Sequence, residues 1–355
     1  GAAEAPERRR GSGASPVEGG AAGTAGAAAA PATALGAPLL RRGGLDYVCW
    51  LGGPILVTAP HSIKIQRGGG ATGERTRNHK RERWTAEIAL VLARELHQRG
   101  LPASVMIWNR IAGPGQGRMD PNYLLPPQFH ASPWHRALHR WALGAGGLPP
   151  GKGGGREAWL RSVPLLHVDL HGKVSEKLHL DLGAAPLEEL WPPDDQPFVL
   201  GLKGRLAALL DRAMADCGIR SLKGRQIAVD ADPVLHGFWG EDTVATISHQ
   251  SVLLGIPAVQ LEMPPRLRER LVADPAAGGR FAAALVEVYR EVVVPWWADR
   301  ATSPRPWPRS RFLDPALASD VEESWPRSGA ASFGPWATGL LSELLEIERA
   351  SAEVQ

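Results

Sequence analysis

Between Tyr47 and Trp297, short apolar runs alternate with segments of helical periodicity, and this alternation limits the folds open to the chain. "YVCWL" (47–51), "PILVTAP" (54–60), "ASVMIWN" (103–109), "VPLLHVDL" (163–170), "QIAVD" (226–230) and "PAVQLEM" (257–263) read as strands. They are five to eight residues long, rich in β-branched and aromatic side chains, and bounded by Gly, Pro or polar residues. Helical patterns cover 85–100, 198–219, 240–256 and 280–297. The first opens on Thr85 and stops at Gly100, and the last is expected to stop at Pro295. Strands that alternate with helices predict an α/β fold with a mostly parallel central sheet. In such open sheets, sites form beyond the carboxyl ends of the strands.

The flanks differ in composition. Residues 1–42 are mostly Ala, Gly, Pro and Ser, with too few apolar side chains to offset the entropy of ordering, and are expected to be disordered. A Gly/Pro-rich stretch at 144–157 reads as a loop within the domain, which is expected to span 43–300. Residues 301–355 form a Pro/Trp-rich tail that ends in a helical pattern with Leu340, Leu341, Leu344 and Leu345 on one face. With 40 basic and 37 acidic side chains, the net charge of +3 is too balanced for a nucleic-acid binder, so "RTRNHKRER" (75–83) reads as a solvated basic face. No run approaches the roughly 18 apolar residues of a membrane span. Two cysteines, Cys49 and Cys217, cannot make a disulfide scaffold; they read as buried hydrophobes of a reducing, cytoplasmic protein. The chain begins with Gly rather than Met, which leaves room for a removed targeting peptide.

The polar residues that close each apolar run are more specific. "ILVTA" leads to Pro60-His61-Ser62, "LLHVDL" to His171-Gly172, and "PAVQL" to Glu262. "ASVMIW" leads to Asn109 and Arg110, then a Gly-rich loop carrying Arg118 and "MDPNYL" (119–124). Two neutral imidazoles and a carboxylate form a usual protein set for catalytic zinc, with one coordination position left for water. A further carboxylate can take a proton from that water and pass it to a leaving amine. On this logic His61 and His171 are metal ligands and Glu262 is the acid/base. Glu74, Glu82 and Glu87 compete for the third ligand position. Glu82 is favoured because it lies just before a helix start, whereas Glu87 can instead face the helix dipole. Asp169 either bonds a turn or orients an imidazole from behind. His167 and His249 read as structural. Each of these residues also has a plain structural reading, since a lone histidine at a strand end is commonly a satisfied polar group. The coincidence of three strand ends favours the metal.

In this order, the residues resemble the N-formylglutamate amidohydrolase family, within the broader zinc carboxypeptidase and aspartoacylase group. The likeness rests on "TAPHS" (58–62), "MDPNYL" (119–124), "VDLHG" (168–172) and "PAVQLEM" (257–263), which span about 58–270. The resemblance implies a three-layer α/β fold around a mixed, mostly parallel sheet, with Zn2+ held by His61, Glu82 and His171 and worked on by Glu262. It also implies hydrolysis of an amide bond beside a carboxylate, in a small molecule or peptide; the balanced charge and the lack of an apolar span argue for no nucleic-acid or membrane partner. Where the family carries an Arg after its Asn, this chain has Tyr123; Asn122 is kept, and Arg110, Arg118 or Asn122 would hold the substrate's acid group. Ile63 replaces the Gly after Pro-His-Ser. These departures point to an acyl-amino acid or peptide larger than formylglutamate. They also raise the alternative of a catalytically inactive relative that acts as a binding module.

Overall fold

The computed structural model describes residues 47–51, 53–67, 77–108, 120–144, 163–174, 179–219, 227–229, 235–238 and 244–303. The expectations for 1–42, for the loop at 145–157 and for the tail beyond 303 lie outside these residues, as do Glu74, Arg110 and Arg118.

Seven strands form one sheet: β1 (Tyr47–Trp50), β2 (Ile55–Ala59), β5 (Ala103–Trp108), β6 (Leu166–Gly172), β7 (Leu180–Gly183), β8 (Ile227–Val229) and β9 (Ala258–Met263). Their spatial order is β1-β5-β2-β6-β9-β7-β8. The β5-β2-β6-β9 centre is parallel, while β1 runs antiparallel to β5 and β7 antiparallel to β9. The sheet is therefore mixed and mostly parallel, as the alternation predicts. β2, β5, β6 and β9 are buried along their whole length; β2 and β5 read as near-continuous apolar runs, whereas β6 and β9 alternate apolar residues with buried polar ones. A separate hairpin pairs β3 (Ile65–Arg67) with β4 (Arg77–His79).

Helices cover both faces. α1 (Thr85–Gln98), α4 (Gln196–Asp216), α6 (Pro265–Ala273) and α7 (Pro275–Val288) pack together on one side. α2 (Pro133–Gly144) and α5 (Ile247–Leu253) lie on the other, with the short α3 (Ala185–Leu190) against α5. Side chains alternate along β6. His167, Asp169 and His171 therefore face the α2/α5 side, where Ser251 of α5 and Trp141 of α2 meet His167. Cys49 and Cys217 are buried and free. No described helix is long and apolar enough to cross a membrane.

Three boundaries correct the sequence reading. The strand expected at 163–170 runs instead from Leu166 through Gly172, so His171 stands inside the ladder rather than after it. The helix expected at 240–256 shortens to α5, whose start is set by Thr246: its hydroxyl accepts the His249 N–H at 3.1 Å. Pro295 does not end the last helix. A π-helical turn, Tyr289–Val293, follows α7 and resets the register, so that Pro295 falls in the first turn of α8 (Val294–Thr302). A proline is tolerated there because its missing N–H has no partner to lose.

Candidate metal centre

β2 ends at Ala59, and Pro60-His61-Ser62 turns away from the sheet; the Trp108 indole donates to the Pro60 carbonyl. The Glu82 N–H donates to the His61 carbonyl at 2.9 Å, which brings the 80–84 segment back to the strand end. Trp84, the one described non-glycine residue with positive φ (72°), makes the sharp turn from that segment into α1. A bulky residue in this conformation costs on the order of 1–3 kcal/mol, so the surrounding contacts must over-determine it. Two residues before this turn, Glu82 lies between two histidines.

The ligand atoms of His61, Glu82 and His171 all lie within 4.8 Å of one another, and all three residues are buried. Glu82 Oε1 is 3.0 Å from His61 Nδ1, and Oε2 is 3.2 Å from His171 Nδ1. The Gly172 N–H donates to Oε2 at 2.8 Å and fixes the carboxylate's roll. Both imidazoles turn the same atom, Nδ1, towards Glu82, and each Nε2 faces a carboxylate: His61 meets Asp120 Oδ1 at 3.0 Å and His171 meets Asp169 Oδ2 at 3.1 Å. A ring that donates from one nitrogen to a carboxylate presents the other bare and more basic, the usual arrangement behind a ligating histidine. Of the three candidate third ligands, the structure brings Glu82 to the histidines. Glu87 is buried in the first turn of α1 and stands outside this group.

Without a cation the group is a set of ion pairs. Burial alone would lower the His61 and His171 pKa values, but the facing carboxylates outweigh it and both end above the ordinary range. Burial would likewise raise Glu82, yet the two imidazoles hold its carboxyl well below the usual value. The donor types, their mutual distances and the carboxylates behind both rings fit a dication such as zinc.

Glu262 sits on β9 directly across from His171, in the row His171–Glu262–Asp181. Burial pushes its carboxyl up to about 7, against the opposing pull of His171. Gln260 Nε2 donates to Glu262 Oε1 at 2.9 Å and orients it. Asn122 lies against the site: its Oδ1 accepts from Ile247 N at 2.7 Å, and its Nδ2 lies 2.8 Å from His171 Nε2.

Several neighbours escape a reading of the sequence. Asp120 is visible there only as part of "MDPNYL". His79, at the end of β4, places its ring 3.9 Å from the His61 ring and its Nε2 3.6 Å from Glu82 Oε1, with a side chain 22% exposed. Thr58 and Gln260 fall in one sheet row with Asp169, which a period-two count along aligned strands would find. Lys173 pairs with Asp181 at 2.6 Å beside Glu262's row.

No protein-family model and no curated protein matches this chain. Among solved structures, the zinc-free form of YNDL is 16% identical, covers 69% of this chain and 90% of its own, and has a TM-score of 0.32. The apo form of the N-acetylmuramyl-L-alanine amidase Ami1 from Mycobacterium abscessus is 15% identical, with 67% and 97% covered and a TM-score of 0.31. A metallo-carboxypeptidase from Burkholderia cenocepacia is 13% identical, with 69% and 60% covered and a TM-score of 0.37. Identities and TM-scores this low assign neither a family nor an activity.

Proposed function

We propose that the chain is a zinc-dependent hydrolase of zinc-carboxypeptidase-like build. It would cleave an amide bond of an N-acylated or formylated amino acid or peptide beside a carboxylate. The observation that carries this reading is the His61–Glu82–His171 group, with a carboxylate behind each imidazole. Held by these three residues, zinc would supply Lewis-acid chemistry towards a carbonyl and a water. Glu262, held by Gln260, takes the proton of the attacking water and delivers it to the departing nitrogen. Arg110 and Arg118 are the proposed partners of the substrate's carboxylate, since a guanidinium binds it in a bidentate fork. The order of "PHS", "VDLHG" and "QLEM" along the chain supports the N-formylglutamate amidohydrolase resemblance, and Tyr123 directs the substrate away from formylglutamate itself.

The test combines metal analysis with an amine-release assay on N-formyl and N-acetyl amino acids and acyl-peptides that carry an acidic group. Protein purified without chelator is expected to hold about one equivalent of zinc, one ion per three-ligand site. Glu262→Gln should keep the metal and lose at least about 10²-fold in turnover, while His171→Ala should lose the metal. Normal hydrolysis by Glu262→Gln would overturn the role given to Glu262. Zinc below about half an equivalent of that site's capacity would favour the non-catalytic binding module.

A further inference from the structure

His167 stands on the same face of β6 as Asp169 and His171, wholly buried, and its ring is engaged at both nitrogens. Nε2 lies 2.8 Å from Thr58 Oγ1 on β2, and Nδ1 lies 2.8 Å from Ser251 Oγ on α5. Thr58 donates its hydroxyl proton to Asp169 Oδ1 at 2.6 Å, and Asp169 Oδ2 faces His171 Nε2 at 3.1 Å. Thr58, His167, Asp169 and Ser251 are all fully excluded from water.

These contacts admit one polarity. Thr58 has a single proton and gives it to a carboxylate, so towards His167 it can only accept. The His167 proton is therefore on Nε2. Burial lowers the His167 pKa to about 4, so the ring is neutral at neutral pH and its bare Nδ1 accepts from Ser251. The chain of bonds runs one way: Ser251 to His167 to Thr58 to Asp169, which in turn receives the proton of His171 Nε2.

The far end of this chain has a competitor. Asn122 Nδ2 lies 2.8 Å from the same His171 nitrogen, and its amide cannot turn because Oδ1 accepts from Ile247 N. His171 Nε2 cannot both accept from Asn122 and donate to Asp169. With Nδ1 given to a metal the ring keeps a single proton, and an ionised oxygen against a bare ring nitrogen is the costlier arrangement, so that proton sits on Nε2, towards Asp169. Were Asp169 free to turn, Nε2 could accept from Asn122 and the proton would move to Nδ1, the atom that faces Glu82. A protonated Nδ1 cannot bind a metal.

We infer that Ser251, His167 and Thr58 are positioning residues that lock Asp169 onto His171 Nε2 and thereby keep His171 Nδ1 bare for a metal. This rests on the proposed metal site. The test is zinc affinity, read by competition with a chromogenic chelator, together with the histidine-ring ¹⁵N spectrum of the zinc-loaded protein. Thr58→Val keeps shape and removes the hydroxyl; it should weaken zinc binding by about 10–100-fold. Thr58→Ser, which restores a hydroxyl, should bind within about threefold of the unaltered chain, a smaller loss than that range. Ser251→Ala reports on the same relay from its other end and should weaken zinc in the same direction. His167 should show the Nε2–H tautomer. Unchanged affinity in both Thr58→Val and Ser251→Ala, or an Nδ1–H tautomer at His167, would overturn the relay while leaving the metal site standing. Failure of the unaltered chain to take up zinc would remove the metal site, and the relay with it.

Discussion

At the scale of single residues, the tightest constraint beside the site is Gly172. A Cβ there would lie 2.6 Å from the Arg268 Cζ and Nη1 atoms. Arg268 has little room to retreat, being buried and bonded to the Arg83 and Lys173 carbonyls. Those two carbonyls flank Glu82 and Gly172, so this one guanidinium ties together the two segments whose polar groups meet in the Gly172 N–H to Glu82 bond. Gly172→Ala should therefore destabilise the protein by about 1–3 kcal/mol, the usual cost of overpacking. Combined with Arg268→Ala it should cost clearly less than the sum of the two single changes, because the clash is shared. Urea unfolding of the four proteins in the cycle measures both; additive losses would refute the shared clash.

At the scale of elements, α5 is short, yet three of its groups hold the surroundings of the site. The Ile247 N–H fixes Asn122, Ser251 meets His167, and Gln250 Nε2 donates to the Pro121 carbonyl at 2.7 Å. Thr246 anchors the start of this helix, accepting from His249 N and donating to the Gly237 carbonyl at 3.0 Å. Thr246→Ala should cost about 1–2 kcal/mol and Thr246→Ser much less, as read from urea midpoints. The sequence shows the parallel centre of the sheet plainly, because β2 and β5 are apolar runs between turn residues and β6 and β9 open on apolar runs, at 165–166 and 257–259. It does not show α5's true start, since "GEDTVATIS" continues the helical pattern and the capping bond depends on where Gly237 lies in space. It misses β7, whose "LDLG" is too short and too polar to stand out; Asp181 is there because it pairs with Lys173. His61, His171 and Glu262 are readable because each closes an apolar run. Asp120 and Thr58 are not, because their roles depend on pairings between segments far apart in the chain.

At the scale of the whole molecule, the buried histidines make stability depend on pH. Burial lowers His135 to about 3, with His139 adding to the effect, and His249 to about 4. The unfolded chain takes up these protons from near pH 6.5, well before the folded chain does. Stability from this source is thus complete above about pH 6.5 and is lost as the pH falls towards 4. Among the described residues, neither ring nitrogen of His249 has a hydrogen-bond partner, so His249→Leu should change stability little at pH 7 and flatten the loss between pH 7 and 5. A urea series at the two pH values tests this; an unchanged slope would show that His249 does not carry the effect. His61 and His171 run in the opposite sense in the metal-free chain. Their raised values give stability that is present below about 6.5 and lost as the pH rises through the folded values.

The spacing of the three site residues has a mechanical consequence. Glu82 lies 21 positions from His61 and 89 from His171. A cation shared among them would be a reversible cross-link, closing one short and one long loop of a chain that has no disulfide between its two cysteines. Occupancy and folding would then be read on a single scale. At free zinc about 100-fold above its dissociation constant, the folded state would gain about 2.7 kcal/mol, and a chelator titration followed by melting temperature would trace that gain in reverse.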